Sequence, residues 1–119
     1  MPAGNGFGSM FFHHRALEIL EAAMESAAVL AHHALVAGLA QATFDHSLAA
    51  GQEALRLSAV REAIVHFELA HQLVREASLS KMPDKAELRD LYMQLGRAYE
   101  LVGLMEDAFA IDSERDQLG

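Results

Sequence analysis

The stretch from Gly51 to Ala70 constrains the fold of this chain most, because it places small and aromatic residues at helical spacings. Ala63 lies 12 residues after Gly51, and the aromatic Phe67 lies 4 residues further on. Two antiparallel helices approach closely only where one of them presents Gly or Ala at the crossing, and an aromatic ring one turn later fills the groove beside it. The spacing therefore predicts a tightly packed helical hairpin.

A second copy of this pattern follows later in the chain. Tyr92, Leu95, Gly96 and Tyr99 are spaced as Y-x2-L-G-x2-Y, and Ala108 again lies 12 residues after its Gly. Only two Pro residues occur in the chain, and a chain poor in Pro favours helices. We expect an all-α fold of about three stacked antiparallel helical hairpins.

These spacings resemble the tetratricopeptide repeat (TPR), which implies a TPR-like α-solenoid. Two features depart from the repeat. Gly51 and Gly96 are 45 residues apart, whereas the usual period is about 34 residues, so an insertion is expected between them. Asp112 stands where the second aromatic residue should be, and Phe109 is a possible substitute for it.

The Gly-rich segment 1–9 is predicted to hold no regular element and to be a linker or a remnant of cloning, followed by one helical domain over 10–119. The tract from Met10 to Ala37 could be one helix or two, with Ser26 capping the second and Gly38 ending it. Ser58 is a candidate N-cap, and Asp84 with Glu87 forms a candidate capping box after Pro83. Further helices are expected over 41–57, 60–77, 84–102 and 105–116.

Composition excludes several classes of function. The formal charge is −8, which argues against binding to a nucleic-acid backbone. The absence of Cys excludes disulfides and thiolate metal sites and is compatible with the cytoplasm. No uninterrupted apolar run reaches the roughly 18 residues of a membrane span, and no secretory leader is recognised. We expect a cytoplasmic protein that binds neither nucleic acid nor membrane.

Nothing in the sequence predicts catalysis, a metal site or a cofactor. The His pairs at 13–14 and 32–33 are adjacent, and neighbours on a helix point about 100° apart, so neither pair can clamp a metal from one face. Glu62 and His66 are four residues apart, the spacing of the two His ligands in HExxH sites, but the second His is missing. No Ser stands in a nucleophile elbow. His33 and His66 are expected to form hydrogen bonds between helices.

A longer run, from Leu30 to Leu73, resembles the helical C-terminal arms of bacterial STAND-type and AAA-type signalling ATPases. These include maltose-regulon-activator-like regulators and nucleotide-cyclase-linked ATPases. The shared pattern falls on Leu30, Ala31, His33, Ala37, Gly38, Ala50, Gly51, Ala54, Ala59, Glu62, Ala63, His66 and Phe67. No GxxxxGK[ST] motif of an ATPase occurs in the chain. The resemblance implies a protein-interaction or scaffold arm rather than an enzyme.

In a TPR-like fold, an inner groove would be lined by the first helix of each hairpin. The groove candidates are Asp45, Leu48, Gln52 and Arg56 in the first repeat, and Asp90, Met93, Arg97 and Glu100 in the second. The repeat-packing residues are Gly51, Ala63, Phe67, Ala70, Tyr92, Leu95, Gly96, Tyr99 and Ala108. The expected partner is a protein or peptide, or neighbouring repeats of a parent protein. An alternative is a small apolar ligand bound between hairpins, as the Phe and Met content allows.

The N-terminal helix carries too many apolar residues for one packed face. Phe11 and Phe12 are followed by Leu17, Ile19 and Leu20, which surround much of its circumference. The last helix, by contrast, is expected to be capped by its acidic residues. We therefore predict a homodimer with Phe11 and Phe12 at its interface.

Overall fold

A computed structural model describes the backbone of residues 3–119 and the side chains of residues 15–119, and every regular element in that part of the chain is an α-helix. The predicted all-α class is therefore confirmed. The chain divides into two compact units, Met1–Leu35 and Val36–Gly119. The helices are α1 (Ala3–Arg56), α2 (Val60–Arg75), α3 (Lys85–Leu101) and α4 (Met105–Asp116).

Helix α1 spans the tract for which one helix or two were expected, and also the helix expected over 41–57. It starts at Ala3, within the segment for which no regular element was predicted, and it continues through both Ser26 and Gly38. Of the two alternatives for Met10 to Ala37, the uninterrupted helix is therefore observed, and the predicted helix end at Gly38 is wrong. Ala recurs throughout this tract and favours helix, and one Gly in a helix costs only about 1 kcal/mol relative to Ala.

The two connections α1–α2 and α3–α4 share one turn geometry, 45 residues apart. The Ala59 N–H donates to the Ala54 carbonyl at 2.8 Å, and the Leu104 N–H donates to the Tyr99 carbonyl at 2.8 Å. Ala59 (φ −86°, ψ 69°) and Leu104 (φ −85°, ψ 69°) have nearly the same backbone angles. A residue of the first hairpin, α1–α2, is therefore equivalent to the residue 45 positions later in the second hairpin, α3–α4.

The residue before each of these two positions adopts a left-handed backbone. Gly103 has φ +82°, a region that Gly enters without steric cost, but its equivalent in the first hairpin is Ser58 with φ +62°. Ser58 was predicted to cap α2, and this is wrong: the N-cap is Ala59, which makes no side-chain capping bond. Ala77 also has a positive φ, of +52°, and α2 ends at Arg75, shortly before it.

The start of α3 confirms a prediction of a helix cap. The Asp84 Oδ1 atom accepts a hydrogen bond from the Glu87 N–H at 2.9 Å, which satisfies one of the free donors of the first turn. The connection between α2 and α3 is also hydrogen-bonded to α1. The Gln41 Oε1 atom accepts a hydrogen bond from the Lys81 N–H at 3.0 Å.

The core lies between the C-terminal part of α1 and the other three helices. In α2 the buried residues recur at helical spacing on one side, and in α3 they occupy a wider face because helices lie on both sides of it. The core side chains are Phe44, Ala54, Ala63, Ile64, Phe67, Ala70, Val74, Leu79, Leu91, Tyr92, Leu95, Ala98, Tyr99, Ala108 and Ile111.

Candidate functional site

The residues predicted to pack the repeat are all buried. Gly51 faces the ring of Phe67 so closely that a Cβ atom on Gly51 would lie 2.6 Å from the ring carbon Cε1. Phe67 itself is fully buried, as are Ala63 and Ala70. In the second hairpin, a Cβ atom on Gly96 would lie 3.1 Å from Cγ2 of Ile111. Each hairpin thus brings an apolar side chain against a helix Gly.

The apolar residue opposite Gly96 was predicted incorrectly. Phe109, the suggested substitute for the missing aromatic residue, is 75% exposed, whereas Ile111 is 3% exposed and contacts the Gly96 position. Asp112 lies beside Ile111, with its Oδ1 atom 2.9 Å from where a Gly96 Cβ would be. Ile111 precedes Asp112 on α4, and its branched side chain places the Cγ2 methyl group against Gly96. The sequence pattern alone does not show this.

The groove candidates of the first hairpin lie largely at the surface. Asp45, Gln52 and Arg56 are exposed, and Leu48 is half-buried against the core. The Asp45 carboxylate accepts a hydrogen bond from Gln41 Nε2 at 3.2 Å.

Arg56 is engaged within its own helix, because its Nε donates to Glu53 Oε2 at 2.9 Å. This hydrogen bond lowers the pKa of the Glu53 carboxyl below its usual value and raises the pKa of Arg56. The two charges therefore partly neutralise each other at the surface.

Three groove candidates of the second hairpin, Met93, Arg97 and Glu100, lie together in one groove of about 470 Å³ between α3 and α4. We name this the α3–α4 groove, and its remaining lining residues are Leu101, Asp112 and Arg115. The Arg115 Nη2 atom is 3.8 Å from Asp112 Oδ1, at the edge of an ion pair. The fourth candidate, Asp90, is exposed and is not among the lining residues.

A second cleft, of about 530 Å³, lies between α2 and α4, and the sequence did not predict it. Its lining is largely charged and comprises Glu68, His71, Gln72, Arg75, Glu76, Tyr99, Asp107, Ala110, Ile111 and Glu114. Two hydrogen bonds join helices across it. His71 Nε2 is 2.7 Å from Glu114 Oε2, and the Tyr99 hydroxyl donates to Glu68 Oε2 at 2.8 Å.

Both tyrosines of the chain are held in their neutral form by this environment. Burial is the main cause that raises the pKa of Tyr99 far above its usual value, and its hydrogen bond to the Glu68 carboxylate adds to the effect. Burial also raises the pKa of Tyr92, with the Glu114 charge acting in the same direction and Arg75 opposing it. The ring of Tyr92 meets the His71 ring edge-on at 5.4 Å between centroids.

The histidine that bridges helices is thus His71, and not the two that were predicted. His33 is exposed and His66 is half-buried, and neither imidazole ring makes a hydrogen bond within the described part of the chain. The signal for His71 was present, since it lies on the same side of α2 as Ile64 and Val74. Among residues 15–119 no three His, Asp or Glu side chains stand close enough together to hold a metal ion.

Large apolar side chains remain exposed along α1 from Leu17 to Leu39. Their exposure ranges from 44% to 68%, and they are Leu17, Ile19, Leu20, Met24, Val29, Leu30, Leu35, Val36 and Leu39. The predicted interface residues Phe11 and Phe12 lie outside the residues whose side chains the structure describes. The apolar character of α1 nevertheless extends well beyond those two rings.

By length and composition, one helix in the described residues, over Arg15–Arg56, could cross a membrane. The sequence expectation required an uninterrupted apolar run. A mean hydropathy taken over 18 residues is less strict, because it allows a few Glu and His residues within the window. Core helices and signal sequences satisfy the same criteria, but the apolar window of this helix is only 6% buried.

Comparisons of the chain with protein-family models, curated proteins and solved structures found no match.

Proposed function

We propose that this chain is a non-enzymatic protein–protein interaction module of TPR-like helical hairpins. The observation that carries this proposal is the equivalence of the two hairpins. Both have the same turn hydrogen bonds at a spacing of 45 residues, and each places an apolar side chain against a helix Gly. Hairpins that repeat in this way stack through nearest-neighbour contacts and present extended surfaces to other proteins.

The biological setting that we propose follows from the resemblance of the sequence to signalling-ATPase arms. The chain would be a scaffold part of a larger bacterial signalling or transcription-regulatory ATPase and would act in the cytoplasm without a cofactor. It would bind a protein or peptide, or neighbouring repeats, and neither nucleic acid nor membrane. The charged lining of the cleft between α2 and α4 favours a polar macromolecular partner over a small apolar ligand.

We also propose that the apolar half of α1 makes the chain a homodimer. Support comes from the nine large apolar side chains that are exposed between Leu17 and Leu39. Burying one such side chain contributes roughly 1.5–3 kcal/mol, so a few of them are enough to sustain an interface.

Photo-crosslinking in cells of the source organism tests the interaction function. A crosslinking amino acid replaces Gln52, an exposed groove candidate, and a matched chain carries it at Val65, which is 64% exposed on α2. We expect one protein to be captured from position 52 and not from position 65. Capture of the same mixture from both positions, or of nothing from position 52, would contradict the proposal.

A further inference from the structure

Two exposed apolar residues of the second hairpin, Met93 and Phe109, correspond to more buried residues of the first hairpin. Helix α3 covers α2 along one stripe. The Glu68 carboxylate accepts the Tyr99 hydrogen bond, and the His71 ring meets Tyr92. Ile64 lies one turn before Glu68 on this stripe and is only 7% exposed. Ile64 is therefore buried at one end of this stripe, whereas Glu68 and His71 also line the cleft between α2 and α4.

The equivalent position in the second hairpin has no such cover. Phe109 lies 45 residues after Ile64 and is 75% exposed. Met93, the equivalent of the half-buried Leu48, is 51% exposed. Both positions hold large apolar residues in both hairpins, but within residues 15–119 those of the second hairpin are far more exposed.

Phe109 does not line the α3–α4 groove itself, but it lies one helical turn before Asp112, which does. The lining combines the apolar Met93 and Leu101 with two arginines and two acids, Glu100 and Asp112. Apolar side chains together with charges of both signs suit an amphipathic helix, whose apolar stripe is flanked by polar residues.

We propose that the α3–α4 groove, together with Phe109, binds an amphipathic helix of a partner protein in the way that α3 covers α2. This inference rests on the proposed interaction function and specifies the partner. The covering helix inside the chain shows what chemistry is needed, since α3 presents Leu91, Tyr92 and Leu95 on one side and charged residues elsewhere. The partner helix should carry large apolar residues at the same spacing.

A second copy of this chain fits the surface less well. Its uncovered helix is α1, which carries Glu18, Glu21 and Glu25 in the part beyond Arg15. The part of the surface around Phe109 is acidic, since Glu106 lies one helical turn before it, whereas the groove lining carries two arginines and two acids. Like charges oppose that pairing, particularly at low ionic strength.

A synthetic peptide of residues 85–101, which is the α3 sequence, serves as the probe. Fluorescence anisotropy of the labelled peptide is measured with the full chain up to about 1 mM, because a short helix is only partly formed in water. We expect saturable binding that weakens at least tenfold with Phe109→Glu and with Met93→Glu. Both positions are exposed, so neither change should unfold the chain. The matched control is Val65→Glu, at a residue that is 64% exposed on α2, which should leave binding unchanged.

The absence of saturable binding, or equal binding by wild type and Phe109→Glu, would overturn this docking site. A dimer that Phe109→Glu converts to monomer in light scattering would also overturn it, because the occupant would then be a second copy. Crosslinking from position 52 on α1 does not depend on Phe109. Its success alongside a failed peptide experiment would remove the docking site and leave the interaction function in place.

Discussion

Two glycines within the continuous helix α1 differ sharply in their surroundings. A Cβ atom on Gly51 would meet the buried Phe67 ring at 2.6 Å, whereas a Cβ atom on Gly38 would meet nothing within 4 Å. The Phe67 ring is fully buried, so it cannot move aside freely. Gly51 is therefore required by the crossing of α1 and α2, and Gly38 is not.

We predict that Gly51→Ala lowers and Gly38→Ala raises the free energy of unfolding. Ala improves helix propensity by about 1 kcal/mol at either position. At Gly51, overpacking costs about 1–3 kcal/mol, and this outweighs the gain. Urea denaturation of both variants measures the two effects. A shift in the same direction for both would show that the α1–α2 crossing is not as described.

At the scale of elements, α2 and α3 are joined by the hydrogen bond from the Tyr99 hydroxyl to Glu68. Because the folded chain raises the pKa of Tyr99, the neutral hydroxyl is favoured more strongly in the fold than in the unfolded chain. This contribution is fully present below the unfolded pKa of about 10 and is lost as the pH rises above it.

We therefore expect Tyr99→Phe to lose less stability than wild type between about pH 9 and about pH 12. At neutral pH the same change should cost about 0.5–1.5 kcal/mol, the usual contribution of one hydrogen bond. Urea midpoints across this pH range provide the measurement. Tyr92→Phe is the matched control and should behave more like wild type, because the pKa of Tyr92 is raised less. Identical alkaline loss in wild type and Tyr99→Phe would exclude this role.

The sequence predicted the elements best where periodicity and close packing coincide. The contact between Gly51 and Phe67 followed from spacing alone, and Asp84 was recognised as the cap of α3. The pairing of His71 with Glu114 could not be predicted from spacing. These residues are 43 positions apart, and their approach depends on how α2 and α4 pack. The continuation of α1 through Gly38 was missed, because a Gly ends a helix only where the chain must turn.

The candidate site was predictable to a similar extent. Met93, Arg97 and Glu100 were selected from the repeat pattern and do share one groove. That Phe109 stands exposed beside it, and that Ile111 takes the buried place, depends on the relative rotation of α3 and α4. Such rotation is set by side-chain interdigitation, which helical spacing alone does not determine.

For the whole molecule, the apolar half of α1 predicts self-association. We expect light scattering to give a mass of two chains for wild type and one for the double variant Phe11→Glu, Phe12→Glu. Leu20→Glu should also weaken the dimer, because Leu20 is 55% exposed in the single chain. Val65→Glu on α2 is the matched control. A monomeric wild type would end the dimer proposal, and an unfolded double variant would mean that the two rings pack within their own chain.

The central claim is that this chain acts by binding another protein and not by binding a small apolar molecule. Thermal denaturation tests it most directly, with the purified chain heated alone, with the protein captured from position 52, and with a library of small apolar compounds. A ligand that binds only the folded state raises the melting temperature in proportion to its saturation. The claim predicts a concentration-dependent rise with the captured protein and none with the compounds, and a rise with a compound but not with the protein would contradict it.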